Sequence, residues 1–118
     1  MQSCDMEHFK EAARDAEKSM RGVFERTPLQ KNEHLSAIYG ADIWLKREDL
    51  SPVRSYKLRG AFNSMRKQQK NKLFVAASAG NHAQGVAYMC KHFGVKGTIF
   101  MPGNYSKAKN SEDRDFWR

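Results

Sequence analysis

A continuous apolar run, Leu73 to Ala77, passes directly into a loop of small residues and then into a helical pattern, and this order constrains the fold most strongly. Such a run is typical of a strand that is buried on both faces of a parallel sheet. A second apolar segment, Gly97 to Met101, follows the helical pattern and ends at Pro102. Strand, helix and strand at this spacing predict a right-handed βαβ unit with parallel strands. The predicted fold class is therefore α/β.

Helical patterns also precede the apolar run. After Asp5, which can cap a helix, apolar residues recur at three- and four-residue spacing until Gly22. The inward residues of this first helix are predicted to be Phe9, Ala12, Ala13, Ala16 and Met20. A short helix is predicted over Glu33 to Tyr39, ending at Gly40, and a strand over Ile43 to Lys46.

Two further helices are predicted on either side of the apolar run. Ser55, just after the break at Ser51-Pro52, is a candidate N-cap. The inward face of the helix that follows it would consist of Leu58, Ala61, Phe62 and Met65. The helix after the apolar run would close at Gly94. Its inward residues would be Val86, Ala87, Cys90 and Phe93.

The bulk composition excludes several classes of protein. The 118 residues, of which 40% are hydrophobic, suit one globular domain rather than a disordered chain. No apolar stretch approaches the roughly 20 residues that span a bilayer. The first ten residues lack a hydrophobic signal region, so we expect a cytoplasmic protein with no membrane partner. Neither the two cysteines nor the four histidines show ligand spacing, so we expect no metal site.

The net charge of +8 is unevenly distributed along the chain. Between Leu50 and Ser111 there is no acidic residue, whereas lysines and arginines are frequent. A basic field of this kind attracts anions, either nucleic acid or phosphorylated small molecules. The alternative is that an acidic part of a longer chain balances it. The basic run over 66–72 is most simply a solvated helix end and loop, so we expect no nucleic-acid partner.

Lys57 is a candidate for Schiff-base chemistry. An amine attacks a carbonyl only when neutral, and burial or nearby positive charge favours the neutral form. Lys57 lies at a predicted helix start, next to Tyr56 and between Arg54 and Arg59. The alternative is an ordinary surface lysine, which is the commoner situation for this residue type.

The loop Ser78 to Gly85 follows a predicted parallel strand and opens a helix. The N-terminus of such a helix has unpaired N–H groups and the positive end of the helix dipole, which together bind anions. Gly80 would let the backbone approach a ligand closely, and Asn81 offers both a donor and acceptors. The alternative is a common βα turn in which Ser and Asn serve only as caps.

Four strings of residues, in this order, resemble the threonine dehydratases (threonine deaminases), which are fold-type II pyridoxal-phosphate enzymes with a tryptophan synthase β-like fold. The strings are Thr27-Pro28-Leu29, Leu45-Lys46-Arg47-Glu48-Asp49-Leu50, Ser55-Tyr56-Lys57-Leu58-Arg59-Gly60-Ala61 and Ser78-Ala79-Gly80-Asn81-His82-Ala83-Gln84-Gly85. The resemblance runs from about Thr27 to Pro102. It implies pyridoxal 5'-phosphate as the cofactor and an amino acid as the substrate.

The resemblance also assigns roles to individual residues. Lys57 would form the Schiff base with the cofactor and act as the base for the α-proton, and Tyr56 would pack beside the ring. Asn81 would hydrogen-bond the ring hydroxyl of the cofactor. The backbone of Ser78, Ala79 and Gly80 would receive the substrate carboxylate. Asn81 and His82 would belong to the same substrate-binding loop. For His82, capping or packing is a simpler role than proton transfer.

The implied reaction is the dehydration and deamination of L-threonine to 2-oxobutanoate and ammonia, in isoleucine biosynthesis or in threonine catabolism. The parent enzyme would be a homo-oligomer. Serine dehydratase and serine racemase, of the same cofactor class, stay open as alternatives. A non-catalytic basic fragment that binds nucleic acid and a non-functional product of a damaged gene stay open as well.

The chain departs from the family's pattern after Pro102. We expect residues 1–50 to be a helix and lead-in that belong to the large domain, and 51–102 to be the βαβ core of the small cofactor domain. A glycine-rich phosphate loop and a partner for the ring nitrogen are absent, so we expect an inactive piece. Codons can be chosen for 103–110 that read Ala-Thr-Thr-Pro-Lys-Gln-Lys one base later, which is the family's usual continuation. We therefore interpret 103–118 as a disordered tail translated out of frame.

Overall fold

The computed structural model describes residues 6–68 and 73–102, and the predicted tail over 103–118 lies outside them. The described chain forms two separate two-stranded sheets, one antiparallel and one parallel. In chain order the elements are α1 (Met6–Met20), β1 (Leu29–Lys31), α2 (Glu33–Tyr39), β2 (Trp44–Lys46), a 3-10 helix (Glu48–Leu50), α3 (Lys57–Arg66), β3 (Leu73–Ala77), α4 (Asn81–Phe93) and β4 (Lys96–Phe100).

The predicted βαβ unit is present, and the α/β class is confirmed. Strands β3 and β4 are parallel, with Leu73 opposite Lys96 and Ala77 opposite Phe100. Strand β4 begins and ends one residue earlier than the sequence predicted. Helix α4 connects the two strands and ends at Gly94, whose φ of 64° is the left-handed conformation that glycine adopts without strain.

The expectation that β3 is buried on both faces is wrong for the described chain. Phe74 and Ala76 face the core, but Leu73, Val75 and Ala77 are exposed. Successive side chains of a strand point to opposite faces of the sheet. Helices α3 and α4 pack on one face only, and no other described residue covers the opposite face.

The first helix is present, but only its C-terminal half packs. Ala16 and Met20 are buried, as predicted, whereas the side chain of Phe9 is 61% exposed and Ala12 and Ala13 are exposed too. Helix α1 contacts α3 through these last turns, so its first turns extend past the core. Phe24, just after α1, completes the core by packing edge-on against Phe62 with ring centroids 6.3 Å apart.

The middle of the chain is a small hairpin around α2, and the predicted bounds of that helix are confirmed. The Asn32 carboxamide oxygen accepts from the Leu35 amide at 2.8 Å, and Gly40 ends the helix at a φ of 60°. Strand β2 begins at Trp44 rather than at Ile43. Strand β1, which the sequence indicated only as an extended segment, pairs with it antiparallel.

Helices α3 and α4 form the most extensive helix–helix packing of the described chain, and a glycine permits it. A Cβ atom at Gly85 would lie 3.2 Å from the Lys57 carbonyl oxygen and 3.4 Å from the Leu58 amide nitrogen. Side chains that pack normally stay farther from backbone atoms than this. The absent side chain therefore allows the first turn of α3 to lie directly against α4.

A polar cluster of three residues, Thr27, Glu48 and Arg59, joins the lead-in to α3. The Arg59 guanidinium donates to both carboxylate oxygens of Glu48, at 2.7 and 2.9 Å, and to the Thr27 hydroxyl at 3.2 Å. The Thr27 hydroxyl donates in turn to Glu48 at 2.6 Å. The hydrogen bonds from Arg59 hold the pKa of the Glu48 carboxyl below its ordinary value.

Glu48 and Asp49 do not form a carboxylate pair. They are adjacent residues of the 3-10 helix. Their side chains are separated because each binds its own arginine. Asp49 binds Arg47 at 2.7 and 2.9 Å, whereas Glu48 binds Arg59.

Replacing Gly85 by alanine is expected to destabilise the chain because the new methyl group meets backbone that cannot rotate away. The matched control is Gly60→Ala in α3, where the new Cβ has open space. Gly60→Ala should raise the free energy of unfolding by about 0.5–1 kcal/mol through helix propensity. Gly85→Ala should leave the chain less stable than this control by about 1–3 kcal/mol. Urea unfolding of the two variants measures the difference, and equal stabilisation by both would contradict the close helix contact.

The low pKa of Glu48 predicts a loss of stability in acid. Because the folded-state pKa lies below the unfolded value of about 4.3, the stabilisation is complete above that pH and is lost as the pH falls through the folded-state pKa. Glu48→Gln should be less stable than the wild type at neutral pH. The difference in stability between the two proteins should narrow as the pH falls below about 4.3. Thermal unfolding across pH tests this, with the exposed Glu25→Gln as control. A stability difference between Glu48→Gln and the wild type that stays constant with pH would contradict the prediction.

Candidate active site

The loop between β3 and α4 lies at the carboxyl ends of both parallel strands. The Ser78 amide donates to the Phe100 carbonyl at 3.0 Å, which ties the loop to the end of β4. The Ser78 hydroxyl accepts from the Gly80 amide at 3.3 Å. Ser78, Ala79 and Gly80 are half-buried, so their backbone is enclosed on one side and open on the other.

Helix α4 begins at this loop with its N–H groups available. Gly80 occupies the cap position, and no side chain caps the helix. The first turn has no acidic residue. Asn81 and His82 form the start of the helix and are both exposed. This end of α4 has the positive dipole and the free donors that bind an anion.

Lys57 is the first residue of α3 and is half-buried. Its Nζ atom lies 5.1 Å from the centroid of the Tyr56 ring, whose side chain is 60% exposed. The predicted N-cap, Ser55, is one residue too early, because Tyr56 occupies the cap position. The Ser55 hydroxyl nevertheless accepts from the Lys57 amide at 3.2 Å, so it satisfies one donor of the first turn.

The turn before Lys57 is held by two buried serines. The Ser51 hydroxyl accepts from the Ser55 amide at 2.9 Å and donates to the Ser55 carbonyl at 3.1 Å. Arg54, inside this turn, has a φ of 53°, which is unusual for a residue with a side chain. The turn therefore fixes the direction in which the chain enters α3.

The structure brings the start of α3 and the start of α4 together. Gly85, against which the Lys57 backbone lies, is four residues after Asn81 and thus about one helical turn from the N-terminus of α4. The backbone of the residue that carries this primary amine therefore lies within about one turn of the open N-terminus of α4. Such a pair can bind a ligand that carries both a carbonyl group and a negative charge.

Other reactive groups of the described chain do not form a site. Cys90 is buried, and its sulfur occupies the space where a Cβ of Gly97 would lie. Burial raises the pKa of the Cys90 thiol, which disfavours the reactive thiolate. Within residues 6–68 and 73–102, no group of three or more histidine, cysteine or acidic side chains is arranged to hold a metal ion. No helix in the same ranges is both long and apolar enough to cross a membrane.

Sequence reasoning missed two features that surround Lys57. The contact of Gly85 with the Lys57 backbone depends on how two helices cross, although Gly85 closes one of the strings that carried the resemblance. The ion pair between Glu48 and Arg59 likewise joins two of those strings. One sequence feature could have indicated this ion pair: Glu48 and Asp49 are the last acidic residues before a long basic segment.

Comparison with known proteins places the chain in a family. The family model described as "Pyridoxal-phosphate dependent enzyme" matches residues 20–116. The biosynthetic L-threonine dehydratase of Bacillus subtilis is 50% identical over 100 residues, covering 82% of this chain and 24% of that protein. The predicted resemblance to threonine dehydratases is thereby confirmed. The chain spans about a quarter of the length of this relative.

Solved structures agree with the fold. The processed form of threonine deaminase isoform 2 from Solanum lycopersicum superposes with a TM-score of 0.79 at 34% identity, over 95% of this chain and 32% of that one. Maize serine racemase superposes with a TM-score of 0.81 at 28% identity, over 91% of this chain and 33% of that one. Because the family model covers most of the chain and the fold agrees, the chain belongs to the family of pyridoxal-phosphate dependent enzymes.

Proposed function

We propose that this chain provides the lysine and the substrate-side loop of a pyridoxal-phosphate dependent L-threonine dehydratase, which forms 2-oxobutanoate and ammonia. The observation that supports this most strongly is the placement of Lys57 against α4, one turn from the open N-terminus of that helix. The 50% sequence identity to a protein named L-threonine dehydratase supports threonine as the substrate.

The residues at the start of α3 and α4 fit this cofactor. Lys57 would hold pyridoxal phosphate covalently through its side-chain amine, and Tyr56 offers an exposed aromatic face within 5.1 Å of that amine. Asn81 would hydrogen-bond the phenolic hydroxyl of the ring. When bound, the cofactor supplies an electron sink for the electrons released from the α-carbon of an amino acid.

The chain's own groups would then bind the substrate and move its proton. The N–H groups at the start of α4 would bind the substrate carboxylate, and the backbone of Ser78, Ala79 and Gly80 would form the rest of its binding loop. The Ser78 and Gly80 amides already donate to the Phe100 carbonyl and the Ser78 hydroxyl, so they shape this loop. Asn81 and His82, both exposed at the start of α4, belong to this loop as further substrate contacts. The amine of Lys57, once free, would accept the α-proton. The half-buried backbone of the loop limits the access of water on one side.

Several wider expectations form part of the same proposal. The Bacillus subtilis relative is named a biosynthetic L-threonine dehydratase, which favours isoleucine biosynthesis over threonine catabolism. We further propose a cytoplasmic location and a homo-oligomeric whole enzyme. The division into a lead-in over 1–50, a cofactor-domain core over 51–102 and an out-of-frame tail over 103–118 is also proposed. The family match reaches residue 116, so it overlaps that tail, and the nucleotide sequence after the Pro102 codon is the test.

Incubation with pyridoxal phosphate followed by borohydride reduction is expected to label Lys57 in preference to other lysines. The physical reason is its half-buried place beside the anion-binding end of α4. Peptide mass spectrometry gives the labelling at each lysine. The matched control is Lys67, which is exposed at the opposite end of the same helix. Lys57→Arg should abolish the preferential label, whereas Lys67→Arg should leave it unchanged. Equal labelling of Lys57 and Lys67 in the wild-type chain would refute the proposed role.

A chimera tests the substrate. Residues 1–102 of this chain would replace the matching segment of the Bacillus subtilis relative, to which it is 50% identical. The chimera is expected to form 2-oxobutanoate from L-threonine with a higher kcat/KM than it shows for L-serine. Lys57→Ala should lower kcat by about 10²–10⁴-fold because the proton acceptor is lost. Lys67→Ala serves as the control with unchanged turnover. A chimera that prefers L-serine would favour the serine enzymes instead.

A further inference from the structure

The polar cluster of Thr27, Glu48 and Arg59 is joined to the helical turn of Lys57 through Arg59. Arg59 is two residues after Lys57, in the first turn of α3. Its planar guanidinium binds both oxygens of Glu48, a fork geometry that fixes direction as well as distance. A rotation of this turn about the helix axis would break at least one of the two hydrogen bonds.

Glu48 also supplies a charge that α3 itself lacks. The first turn of α3 contains no acidic residue and has no side-chain cap at Tyr56. A negative charge beside the first turn of a helix is favourable because it faces the positive end of the dipole. The Glu48 carboxylate comes from a different part of the chain and is bound to this turn through the Arg59 side chain.

The cluster is anchored in the lead-in on its far side. The Thr27 side chain is only 7% exposed, and its carbonyl oxygen accepts a hydrogen bond from the Lys46 amine. The Arg59 guanidinium lies over the ring of Phe24 at 5.8 Å, and that ring is part of the core. The first turn of α3 is therefore held between α4 on one side and the lead-in on the other.

We propose that Arg59, together with Glu48 and Thr27, is a positioning residue for Lys57, because it fixes the rotation of the first turn of α3 and thereby aims the Lys57 amine at the loop before α4. This inference rests on the proposed function, since it assigns to the cluster the orientation of the cofactor-binding amine. It goes beyond the roles of Lys57 and of the Ser78 to Gly85 loop because it gives a function to Arg59 and to two residues of the lead-in.

The test uses the 118-residue chain and the ratio of borohydride-trapped pyridoxal phosphate on Lys57 to that on Lys67. The variants are Arg59→Lys, which keeps the charge but not the fork, and Glu48→Gln, which keeps the shape but not the charge. The matched control is Arg66→Lys, because Arg66 forms the ion pair to Asp15 at the other end of α3, at 2.5 Å. Each labelling ratio is measured at a temperature well below the thermal unfolding midpoint of that variant.

Arg59→Lys and Glu48→Gln are expected to lower the ratio about tenfold, since a small misplacement of a reacting group costs one to two orders of magnitude in rate. Arg66→Lys should leave the Lys57-to-Lys67 labelling ratio at the wild-type value, even if it lowers the unfolding midpoint as much as Arg59→Lys or Glu48→Gln does. If Arg59→Lys does not fold, Glu48→Gln and Thr27→Val decide the question in the same way.

The outcomes separate the two proposals. A wild-type chain without preference for Lys57 would overturn the proposed function. A wild-type chain that prefers Lys57, with variants of Arg59 and Glu48 that keep the preference, would overturn the positioning role alone. A ratio that falls equally in the Arg66→Lys control would also overturn it, because the effect would then follow stability rather than the orientation of the first turn.

Discussion

The contact between Gly85 and the backbone of Lys57 is the constraint on which the candidate site depends. Helices normally keep their axes 8–10 Å apart because side chains separate them. Here the absence of one side chain lets the carbonyl of Lys57 approach α4 to a distance at which a methyl group would be crowded. The contact lies about one turn from the N-terminus of α4, so it fixes the backbone of Lys57 near that open end. The site is thus a consequence of close packing rather than of a direct bond between Lys57 and the loop.

This packing also has an electrostatic cost that explains the kind of ligand the site suits. It brings together the positive ends of two helices, neither of which has an acidic residue in its first turn. The chain has no acidic residue between Leu50 and Ser111, so its local sequence does not neutralise them. Glu48 offsets the charge of the Arg59 guanidinium, and its own pKa is lowered by the hydrogen bonds from Arg59. The remaining positive potential at the start of α4 is offset when a carboxylate or phosphate binds there.

Local features were predictable from the sequence, whereas features that depend on distant partners were not. The end of α2 was predicted at Gly40, and in the structure Asn32 caps its start, because caps are set by neighbouring residues. The exposure of Phe9 could not be predicted, since an apolar pattern states which face prefers burial and not whether a partner covers it. Strand β1 exists only because β2 pairs with it. The residues Lys57 and Ser78 to Gly85 were recognised as chemically unusual strings, but their proximity depends on how α3 and α4 cross.

The uncovered face of the parallel sheet and the candidate site share a boundary. Leu73, Val75 and Phe100 expose large apolar side chains, and parallel sheets are stable when both faces are covered. Ala77 and Phe100 end their strands at the loop that would receive the substrate, since Phe100 accepts the hydrogen bond from Ser78. A polypeptide segment that covered this face up to the strand ends would therefore also form a wall beside the loop. Burial of the exposed sheet face would therefore also exclude water from one side of the loop.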